Sequence, residues 1–419
     1  MNPKGYEMLL HHLKKEDIKN ILIYVCDSLR WDYTPQLIFN KGIGVKTIAS
    51  SLYTAPSFPC LISGLYPNKT GVYNWQDTLK KELRGLFNFR GYNSSLWCET
   101  TWTDLPPWDS DLHHVLGRPL GISLKEIEEP FVYIEDDKGG HCPYGIDFGH
   151  YETFDQYYKE VGKYGNDELR TQYKKSIETS IHHFENRLQT LNERGLEDNT
   201  LVIFTSDHGE LLGEYGGLVD HGRPPCPELI YVPTVFIHPS IAPEKIDSHI
   251  IRHIDIFPTI ASLLNEQTTY TPDGIDLTNQ DFPKSGMNFR IGGYFHPRTI
   301  FDRLTIYQAL SIWDSNGGHS FQPLNKNISF AKFLFMLLSK HPEFTYFHEH
   351  LKYQSKNKLN DMKTILKTLT QPHYKYGQPS INKKEAKNLI DSQQQESLKF
   401  SEKMKIDRMV VKILKDKHV

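Results

Sequence analysis

The stretch Phe204-Thr-Ser-Asp-His-Gly-Glu210 constrains this chain more than any other. It ends a continuous apolar run, Asn199-Thr-Leu-Val-Ile-Phe204, which predicts a β-strand buried on both faces. A carboxylate and an imidazole, Asp207 and His208, therefore stand at the carboxyl end of that strand. Open α/β sheets bind ligands at this edge, because the connecting loops converge there. Oxygen and nitrogen donors side by side suit a divalent cation. A strand followed by an Asp-capped turn would use the same residues, so the pair needs partners elsewhere in the chain.

Asn20-Ile-Leu-Ile-Tyr-Val25 is a second buried run, and it ends in Cys26-Asp27-Ser28. Asp27 thus occupies a strand's carboxyl edge, as Asp207 does. In Thr54-Ala-Pro-Ser-Phe-Pro-Cys60, Pro56 and Pro59 predict a loop entering the first turn of a helix. Thr54 then lies near a helix N-terminus, where free N–H groups and the helix dipole favour an anion and stabilise an alkoxide. Pro130-Phe-Val-Tyr-Ile-Glu-Asp-Asp-Lys-Gly-Gly-His-Cys-Pro-Tyr144 reads as a strand running into a glycine-rich loop.

Composition removes several classes. A chain of 419 residues with 38% hydrophobic content can bury the core of a large α/β enzyme. A net charge of -3 offers no basic field for nucleic acid. Cys26, Cys60, Cys98, Cys142 and Cys226 form no CxxC pair, so neither a disulfide framework nor a zinc-thiolate site is expected. The first residues lack the basic-then-apolar pattern of a signal peptide. No apolar run reaches the roughly 20 residues of a membrane span. A cytoplasmic, reducing setting is the expectation.

Six segments together resemble the sulfatase branch of the alkaline phosphatase superfamily: NILIYVCDSLRWD, TAPSFPCLISGLYPNKTGV, GLEDNTLVIFTSDHGELLGEYG, ELIYVPTVF, HIDIFPTIASLLN and DGIDL. The resemblance implies an α/β fold like that of alkaline phosphatase: a central mixed, largely parallel sheet flanked by helices. It places this catalytic domain over residues 1–300, with a smaller C-terminal α-rich or α+β region over 301–419. It also implies an ester hydrolase with a divalent metal (Zn, Mn, Mg or Ca), Thr54 as nucleophile, and metal ligands Asp27, Thr54, Asp207 and His208. His141 and His221 are then catalytic candidates that bind substrate oxygens or protonate the leaving group.

Asp137 and His141 are spaced like the Asp-x-x-x-His of nucleotide pyrophosphatase-phosphodiesterases, which implies a second metal on Asp137, His141 and His221. His296 is a further candidate. Departures from the family pattern narrow the chemistry. Sulfatases carry Cys or Ser at the nucleophile position and convert it to formylglycine; Thr54 cannot follow that route. Phe58, Glu99 and Ser28 stand where the family has arginine, lysine and a second aspartate. The expected function is hydrolysis of a phosphate mono- or diester through Thr54, on a small-molecule or glycan- or lipid-linked substrate. The alternatives are a sulfate or phosphonate ester hydrolase, a transferase of a phosphoryl-linked group, and a non-catalytic binding protein.

Elsewhere the chain reads structurally. Ile177, Ile181, Phe184 and Leu188 predict one face of a helix over 176–194, with His182 and His183 on its surface. Helices are also expected over residues 3–19, 328–338 and 362–369. Residues 371–379 read as a turn-rich connector. Ile406, Val410, Ile413 and Leu414 predict an amphipathic helix near the C-terminus, packed or available for oligomer contacts.

Overall fold

The computed structural model describes residues 18–98, 111–118, 121–145, 153–222, 224–292, 307–322, 326–338 and 344–404. Most of the helix expected over 3–19, together with Glu99, His296 and the repeat from Ile406 to Leu414, lies outside these residues.

The first strands are β1 (Asn20–Cys26), β2 (Ile43–Ile48), β3 (Asn93–Cys98), β4 (Phe131–Asp137), β5 (Thr200–Thr205), β6 (Leu211–Gly213), β7 (Leu218–Asp220), β8 (Tyr231–Ile237) and β9 (Glu244–Arg252). Seven of them form the central sheet in the order β3-β4-β1-β5-β8-β2-β9. Strand β8 runs against its neighbours β5 and β2, while every other pair is parallel. β1, β4 and β5 are buried throughout, as continuous apolar runs require in a sheet covered on both faces.

Strand alternation sorts the side chains into two cores. Ile21, Ile23 and Val25 of β1 and Val132 and Ile134 of β4 pack with Phe58, Leu61 and Ile62 of helix Thr54–Ser63 and with helix His253–Leu263. Leu22, Tyr24 and Cys26 face the other way, onto Tyr173, Ile177, Ile181 and Phe184 of helix Asn166–Glu193. That helix starts ten residues before the predicted one, and its buried face is the predicted face. Pro59 lies inside helix Thr54–Ser63, which begins at Thr54 itself.

A second sheet, four-stranded and antiparallel, runs β10 (Gly286–Gly292), β11 (Tyr307–Asp314), β12 (Gly317–Phe321) and β13 (His373–Gly377). β13 occupies the segment expected to be a connector. Helices Lys326–Leu338 and Lys358–Thr370 lie between β12 and β13. Helix Lys383–Met404 then docks back, with Ala386 and Ile390 buried against Phe289, Leu310 and Ile312. Its Ser397 donates to the Asn68 carbonyl at 2.6 Å, and its Gln393 donates to Asp273 at 3.3 Å. No helix among the described residues is long and apolar enough to cross a membrane.

Candidate active site

Four parallel strands deliver the candidate residues to one edge. Asp27 follows β1, Thr54 lies in the connection after β2, Asp136 ends β4, and Asp207 and His208 follow β5. Since β1 lies between β4 and β5, the three carboxylates leave the sheet side by side. The approach depends on Gly139, whose φ is +52° and where a Cβ would come within 2.4 Å of the Asp27 carbonyl oxygen. The Asp27 N–H donates to the Asp137 carbonyl (3.0 Å), and Gly140 N–H donates to the Asp27 carbonyl (2.7 Å).

Thr54 Oγ1 lies 3.3 Å from His208 Nε2 and 3.5 Å from Asp27 Oδ2. His208 Nε2 in turn lies 3.2 Å from Asp207 Oδ2 and 3.6 Å from Asp27 Oδ1. The Nδ1–H of His208 donates to the Gly209 carbonyl at 2.8 Å, which assigns the lone pair to Nε2. Burial holds His208 down at about 4, against the pull of Asp207, so the ring is neutral. A lone pair thus faces two carboxylates. Asp207 Oδ2 and Asp136 Oδ1 are buried without a hydrogen-bond donor. Acceptors crowded on acceptors require a positive charge between them, so Asp27, Asp207, His208 and Thr54 fit a divalent cation.

The same crowding raises two of the carboxyls. Burial pushes Asp27 well up, and the charges of Asp207 and Asp136 add to it. Burial likewise raises Asp136, with Asp207 and Asp137 adding to it. Asp207 is positioned through Oδ1, which accepts from Ser28 N–H (3.2 Å) and His208 N–H (2.9 Å). Ser28 reaches this position at φ 60° and also donates its hydroxyl to Asp27 Oδ1 at 2.7 Å. His253 fastens the loops from behind. Its Nε2–H donates to the Ser206 carbonyl (2.8 Å) and its Nδ1 accepts from Ser50 N–H (3.3 Å). Ser57 donates to the Asp207 carbonyl at 2.6 Å, tying the Thr54 helix to the Asp207-His208 loop.

His221 and His141 extend the site. The His208 and His221 rings lie 4.4 Å apart, and those of His221 and His141 lie 5.0 Å apart. His221 Nδ1 sits 3.0 Å from Asp220 Oδ1 and 3.4 Å from Glu210 Oε2. Burial would lower His221, but Asp220 and Glu210 outweigh it and raise it to about 9. Glu210 is pushed up to about 7 by burial. His141 is pushed well below its usual value by burial and by His221, and its Nδ1–H donates to the Cys142 carbonyl at 2.7 Å.

The second-metal set of Asp137, His141 and His221 is not brought together. Asp137 ends up on the opposite face of the sheet, because β4 side chains alternate. Its Oδ2 accepts from His183 Nδ1 at 2.8 Å, and its Oδ1 accepts from Gly139 N–H. Burial acts to raise Asp137, yet His183 and Ser180 pull it below its ordinary value. His183 is therefore a half-buried partner of Asp137 and not a surface residue. Glu135, on the same face, is held by Arg187 at 2.8 Å. The reader of the sequence misses Asp136 and Glu210 as site members. Alternation separates Asp136 from Asp137, but the face that carries helix Thr54–Ser63 shows only once the fold is assembled. Glu210 stands in the Asp-His-Gly-Glu run itself, which was the available signal.

The family model described as Sulfatase matches residues 139–266. The low-salt glycan biosynthesis sulfotransferase Agl7 of Haloferax volcanii is 34% identical over 305 residues, covering 72% of this chain and 74% of that protein. Among solved structures, a 2-O GAG sulfatase superposes with a TM-score of 0.54 at 15% identity, covering 82% of this chain and 96% of that one. The phosphonate monoester hydrolase of Agrobacterium radiobacter gives a TM-score of 0.52 at 16% identity, covering 86% of this chain and all of that one (100%). These two share the fold. The extended match to the Haloferax protein, with the family model, shows that this chain belongs to the sulfatase family of ester-bond hydrolases.

Proposed function

We propose that this protein is a metal-dependent phosphoesterase that cleaves a phosphate mono- or diester with Thr54 as its nucleophile. One observation carries the reading. The unmodified Thr54 hydroxyl lies at the mouth of an acceptor cage, 3.3 Å from His208 Nε2 and 3.5 Å from Asp27 Oδ2. Asp27, Asp207 and His208, with Thr54 itself, would hold one divalent ion (Zn, Mn, Mg or Ca). When bound, the ion lowers the pKa of the coordinated hydroxyl and offsets the charge of the transferring group.

The chain's own residues do the rest. Thr54 is fixed at the first position of helix Thr54–Ser63, where the N-terminal dipole favours its alkoxide. Its oxygen attacks phosphorus as the ester oxygen departs. His221, protonated through Asp220 and Glu210, gives that departing oxygen a proton. Water then attacks the threonine phosphoester, restores the Thr54 hydroxyl, and releases phosphate from a monoester substrate or a phosphate monoester from a diester. His141 lines the far side, with Nδ1 committed to the Cys142 carbonyl.

A second reading, sulfuryl chemistry on a glycan, is favoured by the 34% identical relative, a glycan biosynthesis sulfotransferase. Against it stand Thr54 in place of a formylglycine precursor and Phe58, buried in the core, in place of an arginine. All five cysteines are buried and none is paired with another in a disulfide, which supports a reducing, cytoplasmic setting.

The test is turnover of aryl phosphate mono- and diesters, phosphonates and aryl sulfates by the metal-loaded protein, alongside Thr54→Ala. The expected result is phosphoester turnover, a loss of at least about 10³-fold in kcat in the variant, and metal retention by both proteins. Exclusive sulfate turnover selects the second reading, and full activity in Thr54→Ala removes the nucleophile.

A further inference from the structure

We propose that Arg290, from the C-terminal sheet, is a positioning residue that holds the nucleophile segment and the His221 loop in register. The proposal rests on the reading of Thr54 and His221 given above.

The His221 loop is held from within, where the Asp220 carboxylate accepts from the His221 N–H at 2.8 Å, and from outside. Asp220 sits at φ 70° and Gly222 at φ 93°, so two residues flanking His221 occupy the left-handed region. For an aspartate that conformation is sparsely populated and persists only where the surroundings enforce it. Two contacts do so from outside the loop. Gly222 N–H donates to the Leu52 carbonyl at 2.9 Å, which seats the loop on the segment leading to Thr54. Arg290 Nε donates to the Gly222 carbonyl at 3.2 Å.

The same guanidinium reaches the nucleophile segment. Its carbon lies 4.4 Å above the centre of the Tyr53 ring, and Nη1 lies 3.5 Å from the Tyr53 hydroxyl. Tyr53 is the residue before Thr54 and the N-cap of its helix. A planar cation can stack on an aromatic face and donate in its own plane at once, which an ammonium cannot do. Arg290 is itself anchored, because β10 runs along the segment it braces. Phe289 N–H donates to the Ser50 carbonyl (2.9 Å), Ser51 donates to the Phe289 carbonyl (2.8 Å), and Asn288 donates to the Ala49 carbonyl (2.8 Å). One side chain from the second sheet therefore touches the neighbour of the nucleophile and the neighbour of the leaving-group acid.

The test uses the full-length, metal-loaded protein with Arg290→Met and Arg290→Lys. Steady-state kinetics on the best ester of the panel are combined with imidazole ¹⁵N spectra, in which His221 is assigned by its loss in His221→Gln. Both variants are expected to keep their metal content and circular dichroism. KM should stay within about twofold while kcat falls roughly 10–100-fold, the range expected for a small misplacement of reacting groups, with Arg290→Lys the milder. The His221 signal should move in Arg290→Met without any substrate present. A rise in KM at constant kcat overturns the proposal, because it makes Arg290 a substrate contact. So does an unchanged kcat with an unmoved His221 signal. If the wild-type protein turns over no ester, the functional reading fails, and the His221 signal alone still decides whether Arg290 positions the loop.

Discussion

His221 shows how far one residue's chemistry depends on its two carboxylates. Asp220 and Glu210 raise it above its ordinary value to about 9, so the imidazolium is present below that pH and lost above it. The rate, kcat/KM, is expected to fall as pH rises through about 9, since the free enzyme then lacks its proton donor. Glu210→Gln removes one of the two supporting charges and should move that limb toward the ordinary histidine value near 6.5. A limb that stays put in Glu210→Gln assigns the titration to another group. The histidine was legible in Asp220-His-Gly222, and Asp207 and His208 were legible at the end of an apolar run. Glu210 was not, because its side chain acquires its role from β6 and β7, which fold His221 back over it. Asp137 was misread for a related reason. Spacing of four residues suits one helical face, but here it spans a strand end and a glycine loop, where it fixes no common direction.

At the scale of elements, apolar periodicity located the strands and the long helix, while pairing partners stayed hidden. β13 reads as Pro-flanked polar sequence, His373-Tyr-Lys-Tyr-Gly377. It is a strand because β12 offers it an edge and because Tyr376 stacks on the buried Trp313 at 5.5 Å. Those contacts span more than fifty residues, beyond any local window. Helix Lys383–Met404 precedes the repeat from Ile406 to Leu414, which lies outside the described residues, and its own docking face was not read from the sequence. It is held by Ala386 and Ile390 inside the core and by Gln393 and Ser397 on the loops around Asn68 and Asp273. Ile390→Ala is expected to cost about 2–5 kcal/mol in urea unfolding, the range for emptying a buried isoleucine site. A cost below about 0.5 kcal/mol means the helix docks without contributing to stability.

At the scale of the whole molecule, buried carboxylates crowd together at the edge of the sheet where Asp27, Asp136 and Asp207 meet. Asp27 and Asp136 are both raised by burial and by neighbouring carboxylates, so the folded state binds their protons more tightly than the unfolded chain does. Stability of the metal-free protein is therefore expected to fall as pH rises from about 4, the ordinary carboxyl value. Asp136→Asn removes one of the competing charges. Without metal the variant should melt higher than wild type at pH 7, and it should bind metal about 10–100-fold more weakly. Calorimetry with and without a chelator reads both effects. A variant that melts lower in the absence of metal removes Asp136 from the cage. The sheet order was predictable as a class, a mixed and largely parallel α/β sheet. The adjacency of β4, β1 and β5 was not, and that adjacency concentrates the charge.

The C-terminal sheet and helix have one more consequence, which concerns time. A chain made from its amino end acquires Asp27, Thr54, Asp136, Asp207, His208 and His221 well before Arg290, and Arg290 well before Gln393 and Ser397. The ligands and the nucleophile are thus translated first, and the parts that close around them come last. On the ribosome the first sheet can gather its ligands while the nucleophile segment still lacks its outer braces. On the proposals made above for Thr54, the metal and Arg290, catalytic competence is expected to arrive late in biosynthesis, set by the order of the gene as well as by the uptake of metal.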